Sequence, residues 1–333
     1  MYGFEAEHFG IHIETGEKIL RDLGLPLTKS VPAQDGGWSY RHDGSVHNEA
    51  LELVSPPQEL TLSTRQLNRK LLKAIRTLGG EVDASCGLHI HHGLQVQQYK
   101  VPGARGPVTR STPRYEPIDI YYTVEAYCFF QSVINEILPP SRRDAEYCHY
   151  ISETDLDTLK LVCETRNMKE MAADVQWWDR YKTLNVSSIS KHGTLEFRQH
   201  SGTLNPDKIV HWIILTQAFL NAGYDKRALP APVDAPERLN SMLSWLRVPT
   251  RTREFYRTRR LVLQAGGDSD EDATMMQDGY SESDNDEEDR CACCPAFVGE
   301  GEPCRSNCRC NFCIEERSAY STTSGGDEDG VEW

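Results

Sequence analysis

The first 267 residues have neither a surplus of charge nor many cysteines. They contain 32 basic and 31 acidic side chains, so no basic surface for nucleic acid is expected. The four cysteines in this part are too few for the disulfide framework of a secreted domain. No apolar run long enough to span a bilayer is free of charged residues, and the N-terminus lacks the basic and apolar regions of a signal peptide. We therefore expect a cytoplasmic protein that binds neither nucleic acid nor membranes.

The acidic residues and the cysteines are concentrated at the end of the chain. Residues 268–333 contain 19 acidic and 4 basic side chains, a net charge of −15 in a chain whose total is −14. Such a composition buries too little apolar surface to order itself. It predicts a folded domain over residues 1–265 whose part 226–265 is helical, an acidic disordered linker over 266–290, a cysteine-rich segment over 291–313 and a disordered acidic tail over 314–333.

Seven of the eleven cysteines lie within residues 291–313. Clustered thiolates in an intracellular chain commonly bind Zn²⁺ with four ligands. The spacing matches no standard zinc finger and leaves three thiolates over, so a structural zinc site and a disordered, redox-active tail both remain open. The candidate zinc ligands are Cys291, Cys294, Cys310 and Cys313. The tail is also a candidate site for a protein partner.

The periodicity of apolar residues predicts the helices, and proline and glycine mark their ends. The predicted helices span residues 15–23, 63–78, 118–138 and 205–223, and roughly 235–247 and 250–264. Residues 101–117 are rich in Pro, Gly and Arg, which predicts a long loop.

Four short segments are typical of strands but have ionisable side chains at every second position. Because side chains two apart on a strand share a face, each segment has one charged and one apolar face. The charged faces comprise Glu5 and Glu7, Glu52, His89 and His91, and Glu196 with Arg198 and His200. These segments predict a sheet that has one apolar face and one face of Glu, His and Arg.

The side chains on the charged face suit metal and phosphate chemistry. Glutamates with a supporting histidine suit Mg²⁺ or Mn²⁺, and an arginine suits a phosphate or carboxylate. Together they predict a phosphoryl-transfer site, although each segment alone is also compatible with a solvated face. A zinc site at His89 and His91 is a second interpretation. The chain has no G-x-x-x-x-G-K-[ST] loop, which excludes a P-loop nucleotide site. Cys86 is expected to be a buried thiol, because strand spacing puts it on the face opposite His89.

The start of the chain contains two overlapping frames of the same pattern. Glu5 and Glu7 fit Gly-x-Glu-x-Glu fully, whereas the second frame has His12 in place of its first acid before Glu14. An unbroken strand would mix the acids with the apolar face. We therefore expect a bend near residues 8–10, a following strand that faces the core, and a structural role for Glu14 at the start of a helix.

The ordered motifs resemble one family, the amidoligases of the glutamine synthetase-like and glutamate–cysteine ligase-like carboxylate–amine ligase superfamily. The resemblance covers about residues 1–225. It is found in GFEAE (3–7), WSYRHDGS (38–45), EALELVSPP (49–57), CGLHIH (86–91), PSR (140–142), RYKTLN (180–185) and TLEFRQHSGTL (194–204).

This resemblance implies a glutamine synthetase-like α+β fold, in which a curved, mostly antiparallel sheet has a charged active-site face and helices packed on the other face. It also implies an ATP-dependent ligase that joins a carboxylate to an amine through an acyl phosphate. The substrates can be small molecules, peptides or protein side chains. It implies that two or more Mg²⁺ or Mn²⁺ ions are held by Glu5, Glu7, Glu52, His89 and Glu196. Arg198 would contact the transferring phosphoryl group and act in catalysis with Glu52 and Glu196. Arg142, Asn185, His200 and Asp43 would position ATP or substrate. A metal-dependent hydrolase and an inactive ligase-like binding module with a zinc-linked tail remain alternatives.

Overall fold

Six antiparallel strands form the central sheet of the computed structural model, which describes residues 1–28, 36–42, 50–94, 98–101, 108–111, 115–232, 234 and 237–267. Residues 268–333, which contain most of the predicted linker and the whole tail with Cys291, Cys294, Cys310 and Cys313, lie outside these residues, as does Asp43. The strands are β1 (Tyr2–His8), β2 (Ser39–His42), β3 (Leu51–Val54), β4 (Gly87–Gly93), β5 (Gln98–Val101), β6 (Val108–Ser111), β7 (Leu184–Asn185) and β8 (Thr194–Ser201). Their order in the sheet is β2-β3-β1-β4-β8-β7, and β5 and β6 form a separate pair.

The described residues also form ten α-helices, so the predicted α+β class is confirmed. They are α1 (Ile13–Asp22), α2 (Leu62–Thr77), α3 (Pro117–Phe129), α4 (Gln131–Ile134), α5 (Glu153–Thr165), α6 (Met168–Asp174), α7 (Ser188–His192), α8 (Pro206–Tyr224), α9 (Arg238–Trp245) and α10 (Thr250–Gln264). Short 3-10 helices span Asn135–Ile137, Pro140–Arg142 and Val175–Trp177. Within the described part of the chain, none of the helices has the length and apolar character needed to cross a bilayer.

The apolar face of the sheet packs against α3 and α8. Phe197 of β8 is fully buried, and its ring centroid lies 5.4 Å from that of Tyr127 on α3. Tyr127 in turn lies 5.0 Å from Phe219 on α8. Burying an apolar side chain of this size contributes about 1.5–3 kcal/mol relative to leaving it exposed. This packing fixes which face of the sheet turns away from the helices and can carry charge.

The helix predicted from residue 205 is confirmed. The side chain of Asn205 accepts hydrogen bonds from the backbone N–H groups of Asp207 and Lys208 at 2.9 and 3.3 Å, so it caps the first turn of α8. The prediction for 118–138 was too simple, because α3 ends at Phe129 and Gln131 begins a new turn. The apolar periodicity continues through this break, so it cannot reveal it.

The loop predicted for residues 101–117 is corrected in two places. β5 and β6 pair as an antiparallel ladder from Val101 opposite Val108 to Gln98 opposite Ser111. α3 begins at Pro117. The β-branched and aromatic residues Tyr99, Val101, Val108 and Thr109 favour strands at these positions.

The bend predicted near residues 8–10 is confirmed, but the strand expected beyond it is wrong. β1 ends at His8, and Phe9 forms only an isolated bridge with Glu81. Gly10 then has a φ of +88°, which turns the chain so that α1 begins at Ile13. Glu14 lies in the first turn of α1, as expected for a structural acid at the positive end of a helix dipole.

Replacing Gly10 with alanine should destabilise the protein by about 2–5 kcal/mol, because it adds a strained positive φ and a clash. An added Cβ would lie 2.1 Å from the carbonyl oxygen of Gly79. Gly24→Ala is the matched control, since Gly24 has a φ of +70° with no atom within 4 Å of its Cβ position, and should cost about 1–2 kcal/mol. Urea unfolding measures both, and equal losses would refute the close approach at Gly10.

Candidate metal and phosphate site

The strand register brings the predicted acidic residues together on the face turned away from the helices. Glu7 of β1 lies directly opposite Glu52 of β3. On the other side of β1, Glu5 lies opposite His89 of β4, and His91 lies opposite Glu196 of β8. Directly opposed side chains on an antiparallel pair have Cβ atoms about 4.5–5.5 Å apart. The register therefore turns four separate sequence motifs into one cluster.

His89 lies at the centre of this cluster. Its Nδ1 is 3.3 Å from Glu5 Oε2 and 3.7 Å from Glu196 Oε1. Its Nε2 is 3.7 Å from Glu7 Oε1. Two groups of candidate ligands result, Glu5 with His89 and Glu196, and Glu7 with Glu52 and His89. In each group the ligand atoms all lie within 4.8 Å of one another.

Two arginines partly neutralise the acidic cluster. Arg41 on β2 donates from Nη2 to Glu5 Oε1 at 3.0 Å, and its Nε lies 2.6 Å from Glu52 Oε2. Arg198 Nη1 donates to Glu196 Oε1. With Glu7, the cluster has four carboxylates and these two guanidiniums, so an added cation is favourable. Carboxylates with imidazole suit a divalent cation, and the residues therefore fit the metal that the sequence predicts.

The electrostatic environment holds the buried acids in their charged form. Burial alone raises the pKa of Glu5, but the charges and hydrogen bonds of His91 and His89 outweigh it and hold the pKa well below the ordinary value of 4.5. Burial also opposes ionisation of Glu196, where His91 and then Arg198 lower the pKa. The pKa of His91 is raised, because Glu196 and Glu5 overcome the effect of burial.

Arg142 and Asn185 also line the cleft that opens over the cluster. Asn185 donates from Nδ2 to Glu196 Oε2 at 2.7 Å, so it holds one oxygen of that carboxylate in place. Arg142 is buried, and its Nη2 donates to the backbone oxygen of Arg198 at 2.6 Å. Both contacts position residues of the cluster.

His200 does not lie beside Glu196 and Arg198, in contrast to the face predicted from alternation. The pairing of β4 with β8 shifts between Leu88 and Ile90, because β8 contains a bulge of one extra residue. The bulge puts His200 opposite the core residue Leu88, where its ring centroid lies 5.1 Å from that of Trp212. Burial holds the pKa of His200 well below its ordinary value, so it is a neutral core histidine.

Cys86 is fully buried, and burial raises the pKa of its thiol to about 12. A thiol of this kind has almost no thiolate at neutral pH and is a poor nucleophile. The structure therefore agrees with the packing role expected for it.

The mouth of the cleft carries positive and aromatic side chains that motif reasoning did not single out. The cleft has a volume of about 370 Å³. Arg180 and Lys191 line it, and neither forms an ion pair within the described residues. The guanidinium of Arg180 stacks 5.3 Å from the ring of Tyr181, which packs edge-on against Tyr147. Arg180 and Tyr181 lie within the RYKTLN motif, so this motif was the sequence signal from which these two cleft residues could have been predicted.

Residues 2–220 match the model of the family described as "Putative amidoligase enzyme". The match covers more than half of the chain, so the chain belongs to this amidoligase family, and the predicted family resemblance is confirmed at that level. A comparison with curated proteins finds no match.

In metal-free solution, His91 should stabilise the fold most at mildly acidic pH. Its pKa in the folded state lies above 6.5, so its contribution is fully present below pH 6.5 and is lost as pH rises through the folded pKa. The measurement is urea unfolding in chelator for the protein and for His91→Gln. The advantage of histidine over glutamine should be largest near pH 5.5 and should fall by pH 9.

The comparison with glutamine cancels the effect of buried histidines that do not interact with His91. His211, for example, has a pKa lowered by burial to about 3, so it destabilises the fold as pH falls below 6.5 in both proteins. An advantage that does not change with pH would contradict the charged form of His91.

Proposed function

We propose that the protein is an ATP-dependent carboxylate–amine ligase with a glutamine synthetase-like catalytic fold. Membership of the amidoligase family supports amide formation. The ATP-dependent mechanism rests on one observation, the two clusters of carboxylates that surround His89 beside Arg198. A cleft opens over them and has cationic side chains at its mouth. A metal–carboxylate site with arginines is what phosphoryl transfer from a nucleotide requires.

The proposed metal ligands are Glu5, Glu7, Glu52, His89 and Glu196, and the proposed ion is Mg²⁺ or Mn²⁺. When bound, the ions neutralise charge on the phosphate oxygens and so ease attack by an anionic carboxylate. Acidic side chains alone would repel both ATP and that carboxylate. These carboxylates therefore need a bound cation before ATP or the substrate carboxylate can bind beside them.

Arg198 is the proposed contact of the transferring phosphoryl group. Its Nη1 is held by Glu196, whereas its Nε is buried and has no hydrogen-bond partner within the described part of the chain. Burial also opposes the charge of Arg198, but Glu196 and the other carboxylates keep its pKa above the ordinary value. Arg198 also lines the cleft, and a guanidinium held in place there can stabilise an anionic group without reorganising at the moment of reaction.

The proposed reaction has two steps. An oxygen of the substrate carboxylate attacks the γ-phosphorus of ATP, the bond to the β-phosphate oxygen breaks, and ADP leaves. The amine nitrogen then attacks the carbonyl carbon of the acyl phosphate, the carbon–oxygen bond to phosphate breaks, and the nitrogen loses a proton. Support for this reaction comes from the acidic cluster under the cleft and from Arg180 and Lys191 in its lining, which could hold an anionic substrate.

Incubation with ATP, Mg²⁺, hydroxylamine and a panel of amino-acid and peptide carboxylates should release ADP and form hydroxamate. Glu7→Gln should lower this rate by about 100-fold or more, because it removes a charged ligand at the metal site. Glu14→Gln is the matched control, since Glu14 is exposed on α1, and it should change the rate less than about two-fold. Circular dichroism melts check that both variants fold.

Two outcomes would overturn the proposed function. A folded sample that neither binds ATP nor releases ADP with any carboxylate would exclude the ligase. Metal-dependent turnover of amides or phosphate esters without nucleotide would favour the hydrolase.

Arg180→Ala should raise the KM for ATP or for the carboxylate substrate about ten-fold, because it removes a charged hydrogen-bond donor from the cleft mouth. Arg166→Ala is the matched control, since Arg166 is an exposed arginine that pairs with Asp174 on α6 and does not line the cleft. Initial rates over a range of each substrate separate the two KM values. Unchanged values for both substrates would show that the cationic mouth does not bind them.

A further inference from the structure

Positive charge is concentrated in the last two helices of the described chain, α9 and α10. Residues 237–267 contain seven arginines and two glutamates, a net charge of +5, whereas residues 1–267 together have a net charge of +1. The next segment has the opposite character, because residues 268–290 contain eleven acidic side chains and one arginine. A basic part of the domain therefore continues directly into a strongly acidic segment.

Arg253 and Arg257 lie in one line along α10, because residues four apart on a helix share a face. Arg253 donates from Nε to the backbone oxygen of Val248 at 2.8 Å. Arg257 donates from Nε to Asn240 Oδ1 at 2.8 Å. Within the described part of the chain, neither arginine forms an ion pair or another hydrogen bond. Both guanidiniums are thus held in place with their terminal nitrogens available to a partner.

Arg247 adds a third positive charge at the turn between α9 and α10. It is exposed, it forms no ion pair with any residue that the structure describes, and it directly precedes the residue that Arg253 contacts. Burial lowers the pKa of Arg253, and the charge of Arg257 lowers it further. The arginine surface, which consists of Arg247, Arg253 and Arg257, would therefore be stabilised by an anionic partner.

Two acidic side chains lie near the arginine surface, and neither pairs with it in the described structure. Glu237 accepts a hydrogen bond from Asn240 Nδ2 at 3.4 Å, and Asn240 is also the residue that Arg257 contacts. Glu254 is exposed and directly follows Arg253, and adjacent residues on a helix do not face each other. The surface therefore keeps an excess of positive charge.

The end of α10 delivers the acidic segment close to this surface. Gly266 has a φ of +86°, and the N–H of Gly267 donates to the backbone oxygen of Val262 at 3.0 Å, so the helix ends and the chain is redirected. α10 has 15 residues and is about 22 Å long. A flexible chain as long as residues 268–290 has an end-to-end distance of roughly 25 Å. The segment can therefore reach the whole surface, and its attachment gives it an effective concentration on the order of millimolar.

Leu261 extends the line of Arg253 and Arg257 by one further turn of α10. Its side chain is 62% exposed, which leaves an apolar area beside the positive charges. A small anion would neutralise the arginines but would leave this area exposed to water. Residues 268–290 also contain the apolar side chains that could cover it, Met275, Met276 and Tyr280. The mixed character of the surface thus favours this segment over a simple anion.

We propose that the acidic segment 268–290 docks on the arginine surface of its own chain. None of the three arginines lines the cleft over the acidic cluster, so the surface is separate from the candidate active site. Docking would hold the start of the cysteine-rich segment 291–313 beside α10. The proposal needs neither metal, ATP nor amide formation, and it stands or falls independently of the proposed function.

The test is nuclear magnetic resonance of the ¹⁵N-labelled, full-length protein at about 50 mM and about 500 mM NaCl, since salt screens charge pairs on a surface. At low salt, the amide signals of residues 268–290 should be displaced from the positions of an unfolded chain, and high salt should remove the displacement. Arg253→Glu with Arg257→Glu should remove it at both salt concentrations. Lys70→Glu with Lys73→Glu is the matched control, because these exposed lysines on α2 give the same change in net charge. The control should keep the wild-type displacement.

A second variant tests docking without altering the folded domain. Replacing the eleven acidic residues of 268–290 with Asn or Gln should shift the amide signals of Arg253 and Arg257 to the positions seen at high salt. Replacing the acidic residues of 314–333 in the same way is its control and should leave both signals unchanged. Circular dichroism melts establish that every variant is folded.

Three results would overturn the proposal. The first is a segment 268–290 whose signals are those of an unfolded chain at low salt in the wild-type protein. The second is equal release by the lysine control, which would indicate attraction to net charge and not to the arginine surface. The third is a displacement that disappears on dilution, because docking within one chain does not depend on protein concentration and docking on a second copy does. The absence of ligase turnover would overturn the proposed function and leave this inference intact.

Discussion

Electrostatic repulsion among four carboxylates on one face of the sheet is the constraint on which the site depends. This repulsion is reduced by Arg41 and Arg198, by two histidines, and by the backbone N–H of Gly87, which donates to Glu7 at 2.5 Å. Charges removed from water in this way rarely add stability, because desolvation offsets their attraction. The stability of the fold must come from the opposite face, where aromatic and aliphatic side chains pack against the helices. One face of the sheet thus stabilises the fold, and the other carries the side chains that are available for chemistry.

Register, as much as alternation, decides which side chains enter the site. Alternation alone sets Glu5 and Glu7 on one face, but the antiparallel pairing places Glu52 opposite Glu7 and His91 opposite Glu196. A slip of one residue in any strand would send its acids into the core. The bend at Gly10 keeps the two faces distinct at the end of β1. It ends the strand before Phe9, Ile11 and Ile13 could bring apolar residues to the charged face.

The sequence was sufficient to predict the charged face and most helices, since both follow from local periodicity. Alternation alone predicts that Glu5 and Glu7 share a face, and the Asn-Pro pair at the start of α8 predicts the cap by Asn205. Arg41 could not be found in this way, because its contacts with Glu5 and Glu52 exist only once β2 pairs with β3. His200 was misplaced because a bulge adds one residue to β8 and leaves no mark on the pattern of residues. Arg180 and Lys191 reach the cleft through the chain path around β7 and α7, which periodicity does not describe.

The proposed metal binding would be linked to the stability of the fold through His91 of β4. Without metal, the raised pKa of His91 means that a proton supplies the positive charge between Glu5 and Glu196. The proposed divalent cation would compete with that proton for Glu5 and Glu196, because the groups that hold a metal must be deprotonated. Metal affinity should therefore increase as pH rises through the range in which the proton's contribution to stability disappears. The carboxylates require a positive charge with or without metal. The pH and the metal concentration would decide whether a proton on His91 or the proposed metal ion provides it.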